Sequence, residues 1–273
     1  MMIYAGIVFY NKRIRDSKLI PMLTAEGFVP VVYDNSDREE FTEDNRNFCG
    51  DNGYLYLGNG ANRGVSFAYT EIVNAIKSKG QKENSWVAMF DDDSEVTKGY
   101  FENARNIASN EENAGICLPI VKLKDGRIVS PSRITRLKDF KLFESKEEAL
   151  SYVGNGITGI NSGMLINLSI FDRIAYDTRL FIDNIDHAFI DKVKKAGIGI
   201  RVFDGEIIHS LTEFELPGME SVKVRFKHFL SDCRYYYPRG VRFYHIARRT
   251  LKYTLKYRTF AFIRMALSKT LEV

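Results

Sequence analysis

The sequence predicts an α/β protein, a mixed and mainly parallel sheet flanked by helices, with a basic helical extension at its C-terminal end. Three observations lead there. Unbroken apolar runs of strand length recur along the first half and alternate with segments of helical periodicity, the pattern of βαβ units and a parallel sheet. Beyond about residue 115 an alternating stretch is interrupted by an Asp-Gly pair, a hairpin signal that makes the sheet mixed. From Ser221 onward charge and aromatic content change abruptly.

Ile3 to Phe9 is nearly all apolar, as expected of a strand buried on both faces, and Phe28 to Tyr33 is a second such run. Between them Ile14, Leu19 and Leu23 have the spacing of one crossover helix ended by Gly27, with Pro21 disturbing its first turns. Val65, Ala68, Ile72, Val73 and Ile76 form the stripe of another helix that ends near Gly80. Trp86 to Phe90 is the third buried strand, and Trp86 a core residue. Val121 to Val129 folds back around Asp125-Gly126. Ile185 to Ala196, closed by Gly197, predicts a helix with Ile185, Phe189 and Val193 on one face, and Gly199 to Phe203 returns to strand. In such a sheet ligands gather at the carboxyl ends of the strands.

The 273 residues are 45% hydrophobic and 27% charged, which excludes disordered, collagenous and coiled-coil classes and predicts a continuous core. Cys49, Cys117 and Cys233 are odd in number and in no C-x-x-C arrangement, so neither a disulfide framework nor a cysteine zinc site is expected, and a reducing cytoplasm suits them. The apolar start is too short to span a bilayer and lacks the features of a signal peptide. Charge divides the chain. Residues 221–273 hold 13 Lys and Arg against 2 acids, interleaved with Tyr235, Tyr236, Tyr237, Phe243, Tyr244, Tyr253, Tyr257, Phe260 and Phe262, whereas 1–220 is net acidic. The extension suits an anionic membrane surface or a helical extension packed on the body; without a recognised RNA or DNA fold, nucleic acid is the weaker reading.

The buried strands run into polar clusters: Asp34-Asn35-Ser36 after the second and Asp91-Asp92-Asp93-Ser94 after the third. Three successive carboxylates repel one another and are tolerated where a hard divalent cation neutralises them, or in a solvated loop whose Asp93 or Ser94 caps a following helix.

Asp91-Asp92-Asp93 after an apolar strand resembles the D-x-D motif of GT-A glycosyltransferases, and Val31-Val32-Tyr33-Asp34-Asn35-Ser36 resembles the first nucleotide-contacting strand end of family 2 of those enzymes. Asn59-Gly60-Ala61-Asn62-Arg63-Gly64, followed by Phe67-Ala68 and a helix to Lys79, is similar to the Asn/Gly-rich segment that this family places between those strands. The resemblance continues through Asn161–Ile166 and Phe181–Asp186 to Ile207-Ile208-His209, covers about residues 2–250, and points to the rhamnosyl- and galactofuranosyltransferase-like branch. It implies a GT-A catalytic domain over 1–220, with a nucleotide-sugar half over 1–115 and an acceptor half over 116–220. The implied activity is a metal-dependent, inverting transfer of a hexosyl or deoxyhexosyl group from a nucleotide-diphosphate donor to a glycan or lipid-linked acceptor. Bacterial surface-polysaccharide synthesis at the inner face of the plasma membrane is the implied setting.

Site roles follow from that chemistry. The resemblance implies that Mn²⁺ or Mg²⁺ stabilises the leaving diphosphate, with Asp93 as its direct ligand and His209 completing its coordination or serving structure. By the same resemblance Asp91 and Asp92 are expected on the donor side, Asp91 toward ribose or bound water, and Asp34 is expected to hold base or ribose. Asn62–Gly64 opens a helix whose free N–H groups favour an anion, to which Arg63 adds a charge. The acceptor hydroxyl needs a carboxylate base, drawn from Asp183 and Asp186 with Asp183 preferred. Here the sequence departs from the family: Asp183-Asn184 replaces the common Glu-Asp pair and Ala188-Phe189 stands where many relatives have Glu-Trp. Leu211–Glu220, with Pro217-Gly218, suggests a closing loop. The rivals are a sugar-phosphate nucleotidyltransferase, which would want a Gly-rich basic loop where Tyr10-Asn11-Lys12-Arg13 has no glycine, and a non-catalytic membrane-surface protein on the same fold.

Overall fold

A computed structural model describes residues 2–80, 84–109, 115–152, 154–209 and 218–270. Its main sheet contains β1 (Ile3–Phe9), β2 (Val29–Asp34), β3 (Leu55–Leu57), β4 (Trp86–Asp91), β5 (Ser94–Val96), β6 (Ile116–Leu123), β7 (Ile128–Ser130), β11 (Met164–Asn167) and β12 (Ile200–His209). The order is β3-β2-β1-β4-β11-β6-β12-β5, with β7 paired to β6. Strands β1 to β4 are mutually parallel, as are β6 and β12, while β11 runs antiparallel between β4 and β6. A small antiparallel sheet joins β8 (Ser132–Ile134), β9 (Phe140–Leu142) and β10 (Ile157–Thr158).

The alternation of a strand sends its residues to two apolar layers. Along β4, Trp86, Ala88 and Phe90 join the layer that contains Ile20, Leu23, Tyr100 and Phe101, from α1 (Leu19–Ala25) and α4 (Lys98–Ser109). Val87 and Met89 join the opposite layer with Ile72, Ile76, Phe189 and Ile190, from α3 (Val65–Ser78) and α6 (Ile185–Lys195). Both faces of the strand are thus dry, which is why it reads as an unbroken apolar run. Pro21 sits in the first turn of α1, where a missing N–H breaks no helical bond. α2 (Glu39–Asp51) and β3, which the sequence reading did not anticipate, fill the stretch after Asp34, and α5 (Lys146–Ser151) is capped by the Ser145 hydroxyl.

The C-terminal extension is three helices, α7 (Met219–Tyr236), α8 (Arg239–Tyr257) and α9 (Ala261–Thr270). They bury Val222, Phe226, Phe229, Leu230, Cys233 and Phe262 against one another, a core separate from the two sheet layers. The expectation of one continuous core is therefore corrected: α7 to α9 build a core of their own and meet the body largely through polar contacts. No helix of the described residues is long and apolar enough to cross a membrane. The expected closing loop lies outside the described residues as far as Pro217, and Met219 and Glu220 already belong to α7.

Candidate functional site

The acidic triplet lies at the end of β4 and in the tight connection to β5, so neither Asp93 nor Ser94 caps a helix. His209, the last residue of β12, pairs in register with Ser94 of β5, which brings it beside the triplet across more than a hundred residues of chain. Its Nε2 is 3.0 Å from Asp91 Oδ2 and 3.8 Å from Asp93 Oδ1. Asp91 Oδ2 also accepts from the Ser162 hydroxyl. Burial pushes the Asp91 carboxyl up, but the bond and charge of His209, with Ser162 and Lys12, outweigh it and leave the group below its ordinary range. Asp92 points elsewhere, to Lys12 Nζ at 2.8 Å; burial and the neighbouring carboxylates keep its pKa raised despite that cation.

Ser162 is positioned by Gly163. Gly163 has φ +70° and donates its N–H to the Met89 carbonyl at 2.6 Å, and a Cβ there would lie 2.0 Å from Ile207 Cδ1. Only glycine meets both demands, so Asn161-Ser162-Gly163 is a turn that delivers a hydroxyl to Asp91.

The second corner is built around Asp34 and Asn35. Asp34 is buried, and its carboxylate accepts from Ser36 N, Asn45 Nδ2 and Tyr56 OH. These bonds order the turn around a carboxylate that is itself fully buried. Asn35, which the sequence reading left without a role, ties the turn to the Asn62 segment: its Nδ2 donates to Asn62 Oδ1 at 2.9 Å and its Oδ1 accepts from Arg63 N at 2.8 Å. Gly64 N also donates to Asn62 Oδ1, and Val65 N to the Phe181 carbonyl. Of the N–H groups expected to favour an anion where Asn62–Gly64 opens α3, that of Val65 is taken by the Phe181 carbonyl, and those of Arg63 and Gly64 ahead of it are also taken internally. What this segment offers to a ligand is the exposed Arg63 guanidinium, held 4.3 Å from the Phe67 ring centroid.

Asp183 and Asp186 do not share one environment. Asp183, just before α6, pairs with Arg225 and Arg249, each at 3.3 Å, and only 12% of its side chain is exposed. Asp186, in the first turn of α6, has no ion-pair partner among the described residues. Its pKa rises from 3.8 to about 7; burial is the main cause, the Asp91 carboxylate adds to it, and N–H groups of Asn161 and of Asp186 itself offset part of the rise. The two candidate bases thus differ in surroundings: Asp183 is clasped by two arginines of the extension, and Asp186 is buried near Asp91.

Sequence reasoning missed the residues that hold the Phe181–Asp183 loop. Buried Asp232 of α7 accepts from Phe181 N, Ile182 N and Asp183 N, His228 stacks on Phe181, and Tyr237 OH donates to Asn184 Oδ1. A signal was present: Asp232 is the one acid between Glu220 and Glu272. His187, by contrast, is a packing residue, bonded to Thr158, stacked on Phe140, and pushed by burial down to a pKa of about 4.

Among the described residues no group of three or more His, Cys, Asp or Glu side chains is arranged to hold a metal ion. Asp93 and His209, 3.8 Å apart, are near enough to share one, and His209 is also bonded to Asp91. Hard divalent cations commonly take one or two protein ligands and draw the rest from substrate phosphates and water. The donors present fit a cation that arrives with a diphosphate, not a preformed cage.

No family model and no curated protein sequence matches the chain. Solved structures do. Staphylococcus aureus TarS superposes with TM-score 0.50 at 15% identity over 85% of this chain and 40% of TarS. TarS 1–349 gives 0.52 at 15% identity over 86% and 64%, and TarS 1–349 in complex with UDP gives 0.50 at 15% identity over 85% and 65%. This chain thus spans less than two thirds of each. At that identity the likeness establishes the fold, a mixed and mainly parallel α/β sheet of the GT-A type flanked by helices.

Proposed function

We propose that the protein is a glycosyltransferase that moves a hexosyl or deoxyhexosyl group from a nucleotide-diphosphate donor to a glycan or lipid-linked acceptor in surface-polysaccharide assembly. The observation that carries this reading is the convergence at the carboxyl ends of β4 and β12: Asp91, Asp93 and His209 on one side, and the neutral-range carboxyl of Asp186 within electrostatic reach of Asp91. The UDP bound by a structure of this fold supports a nucleotide donor. The family resemblance in the sequence supports the branch and the inverting course.

In this reading the Asp34–Ser36 turn, Asn62, Arg63, Asp91 and Asp92 receive the nucleotide. Asp93 and His209 would hold Mn²⁺ or Mg²⁺, which when bound supplies Lewis acidity for the charge that develops on the leaving diphosphate. Asp186 takes the proton from the attacking hydroxyl, and a single displacement inverts the anomeric centre. The Asp183 carboxylate, fixed by Arg225 and Arg249, shapes the acceptor side and ties it to the helical extension. That extension, rich in Lys, Arg and exposed apolar side chains, would face an anionic membrane surface.

Thermal stabilisation by UDP-, dTDP- and GDP-sugars with Mn²⁺, followed by transfer assays, tests the reading. The expected result is stabilisation by one nucleotide class that requires metal and is lost in Asp93→Ala. Formation of a nucleotide sugar from a nucleoside triphosphate and a sugar 1-phosphate would instead establish the nucleotidyltransferase. The loop after β1 disfavours that outcome, since Tyr10 and Asn11 are bonded to Asp37, and Asn11 N to Ser36.

A further inference from the structure

We infer that the C-terminal helices form a binding site for an anionic membrane lipid: the groove between α7, α8 and α9 takes its acyl chain, and the arginines at the groove's edge take its phosphate. This deepens the membrane-facing part of the proposed function and rests on that part alone. The groove has a volume of about 580 Å³, in the range of small-molecule pockets. Aliphatic side chains of all three helices line it, Leu230, Ile246 and Ile263 among them, and Arg234, Arg239 and Arg242 share the lining.

Charge and exposure select the occupant. Beyond Ser221 the two acids are Asp232, buried against the Phe181–Asp183 loop, and Glu272, outside the described residues, and no carboxylate is among the described residues that line the groove. Around the groove Phe243 is 72% exposed, Leu251 59% and Leu267 61%, and Leu255, one turn beyond Leu251 on α8, is 68% exposed. Phe243, Leu251 and Leu255 repeat at multiples of four and form one stripe along α8. An apolar stripe bordered by Lys and Arg is the surface that lies in a bilayer interface, where the rings and aliphatic groups enter the acyl boundary and the cations meet phosphates. The groove opens beside that stripe. A strand of RNA would call for several flat aromatic platforms, whereas Phe243 is the one aromatic residue among the described residues that line this groove.

The test uses the full chain and two probes: fluorescent lysophosphatidylglycerol below its micelle concentration, and flotation with phosphatidylcholine vesicles with or without phosphatidylglycerol. The expected result is saturable binding of a single lysophosphatidylglycerol, with lysophosphatidylcholine and the Arg239→Glu/Arg242→Glu variant each weaker by about tenfold or more. Ala247→Trp, which adds bulk inside the groove, should also weaken it, with melting temperature and circular dichroism showing that both variants remain folded. Should a variant misfold, Arg239→Gln/Arg242→Gln replaces it. Equal affinity for the two headgroups, or binding untouched by both kinds of variant, overturns the inference. Flotation with phosphatidylglycerol vesicles but no saturable lysolipid binding overturns the groove while leaving a membrane-facing surface; loss of both removes both. Nucleotide-sugar stabilisation, measured on the same protein, reports separately on the donor reading.

Discussion

Asp232 of α7 accepts the backbone N–H of Asp183 at 2.8 Å, with those of Phe181 and Ile182 beside it, so one carboxylate of the helical extension fixes the loop that leads into α6. The extension is in this sense part of the site. Asp232→Ala would leave three amide donors without their acceptor in a buried place, a loss on the order of 3 kcal/mol. It should also lower turnover, because Asp183 and the start of α6 lose their anchor. Urea unfolding and a kinetic assay check both. Wild-type stability with wild-type turnover would show that the loop is held without α7.

The raised pKa of Asp186 gives a pH signature. Its ordinary value is 3.8 and its folded value about 7, so between those two values the folded chain holds a proton that the unfolded chain has released. Stability therefore falls as pH rises through this window and the penalty is complete above about pH 7, with a ceiling on the order of 4 kcal/mol. Asp186→Asn should match the wild type near pH 4 and exceed it by a few kcal/mol at pH 8. Equal stabilities at both pH values would mean that Asp186 ionises without penalty. Wild-type turnover should rise with pH through neutrality as the base deprotonates.

Much of the fold was legible because buried strands and amphipathic helices write their periods into sequence. Trp86–Phe90 is apolar throughout since both faces of β4 are covered, and the stripe of α3 from Ala68 to Ile76 is buried as its spacing requires. α2 was not legible: its run from Glu39 to Asp51 is mostly polar and buries only Thr42, Asn45 and Cys49. Asn45 is there to bond Asp34 and the Ile14 N–H, a need set by distant chain that no local pattern carries. The same holds at the site. The triplet and His209 stand out as residues after strands, but that Asp183 meets two arginines of the extension, and Asp186 none, depends on how α7 and α8 dock.

Gly163→Ala is expected to be among the most damaging small substitutions near the site. Its added Cβ meets Ile207 Cδ1 and takes a positive φ that L residues rarely adopt, which together amount to about 2–4 kcal/mol. Ile207→Val removes the clashing methyl at a loss of about 1 kcal/mol by itself. In the double variant the clash is relieved and the backbone strain remains, so the two effects should be less than additive. Additive losses would place the damage in the backbone alone.

Asp183→Asn and Asp186→Asn separate the two candidate bases. The Asp183 carboxylate lies between Arg225 and Arg249, which are 48% and 31% exposed, so its pairs are partly screened and their loss amounts to about 1 kcal/mol. An asparagine there keeps an oxygen for one guanidinium and leaves the backbone held by Asp232. Under the proposed mechanism, in which Asp186 takes the proton, turnover should fall less than about tenfold. At Asp186 an amide cannot accept the acceptor's proton, and the loss should reach the 10²- to 10⁴-fold or so that general bases contribute. Single-turnover rates at saturating donor, measured across pH 5.5 to about 9, resolve the two: Asp183→Asn should keep the rise through neutrality, and Asp186→Asn should be flat. The opposite pattern, a silent Asp186→Asn and a dead Asp183→Asn, would return the base to Asp183.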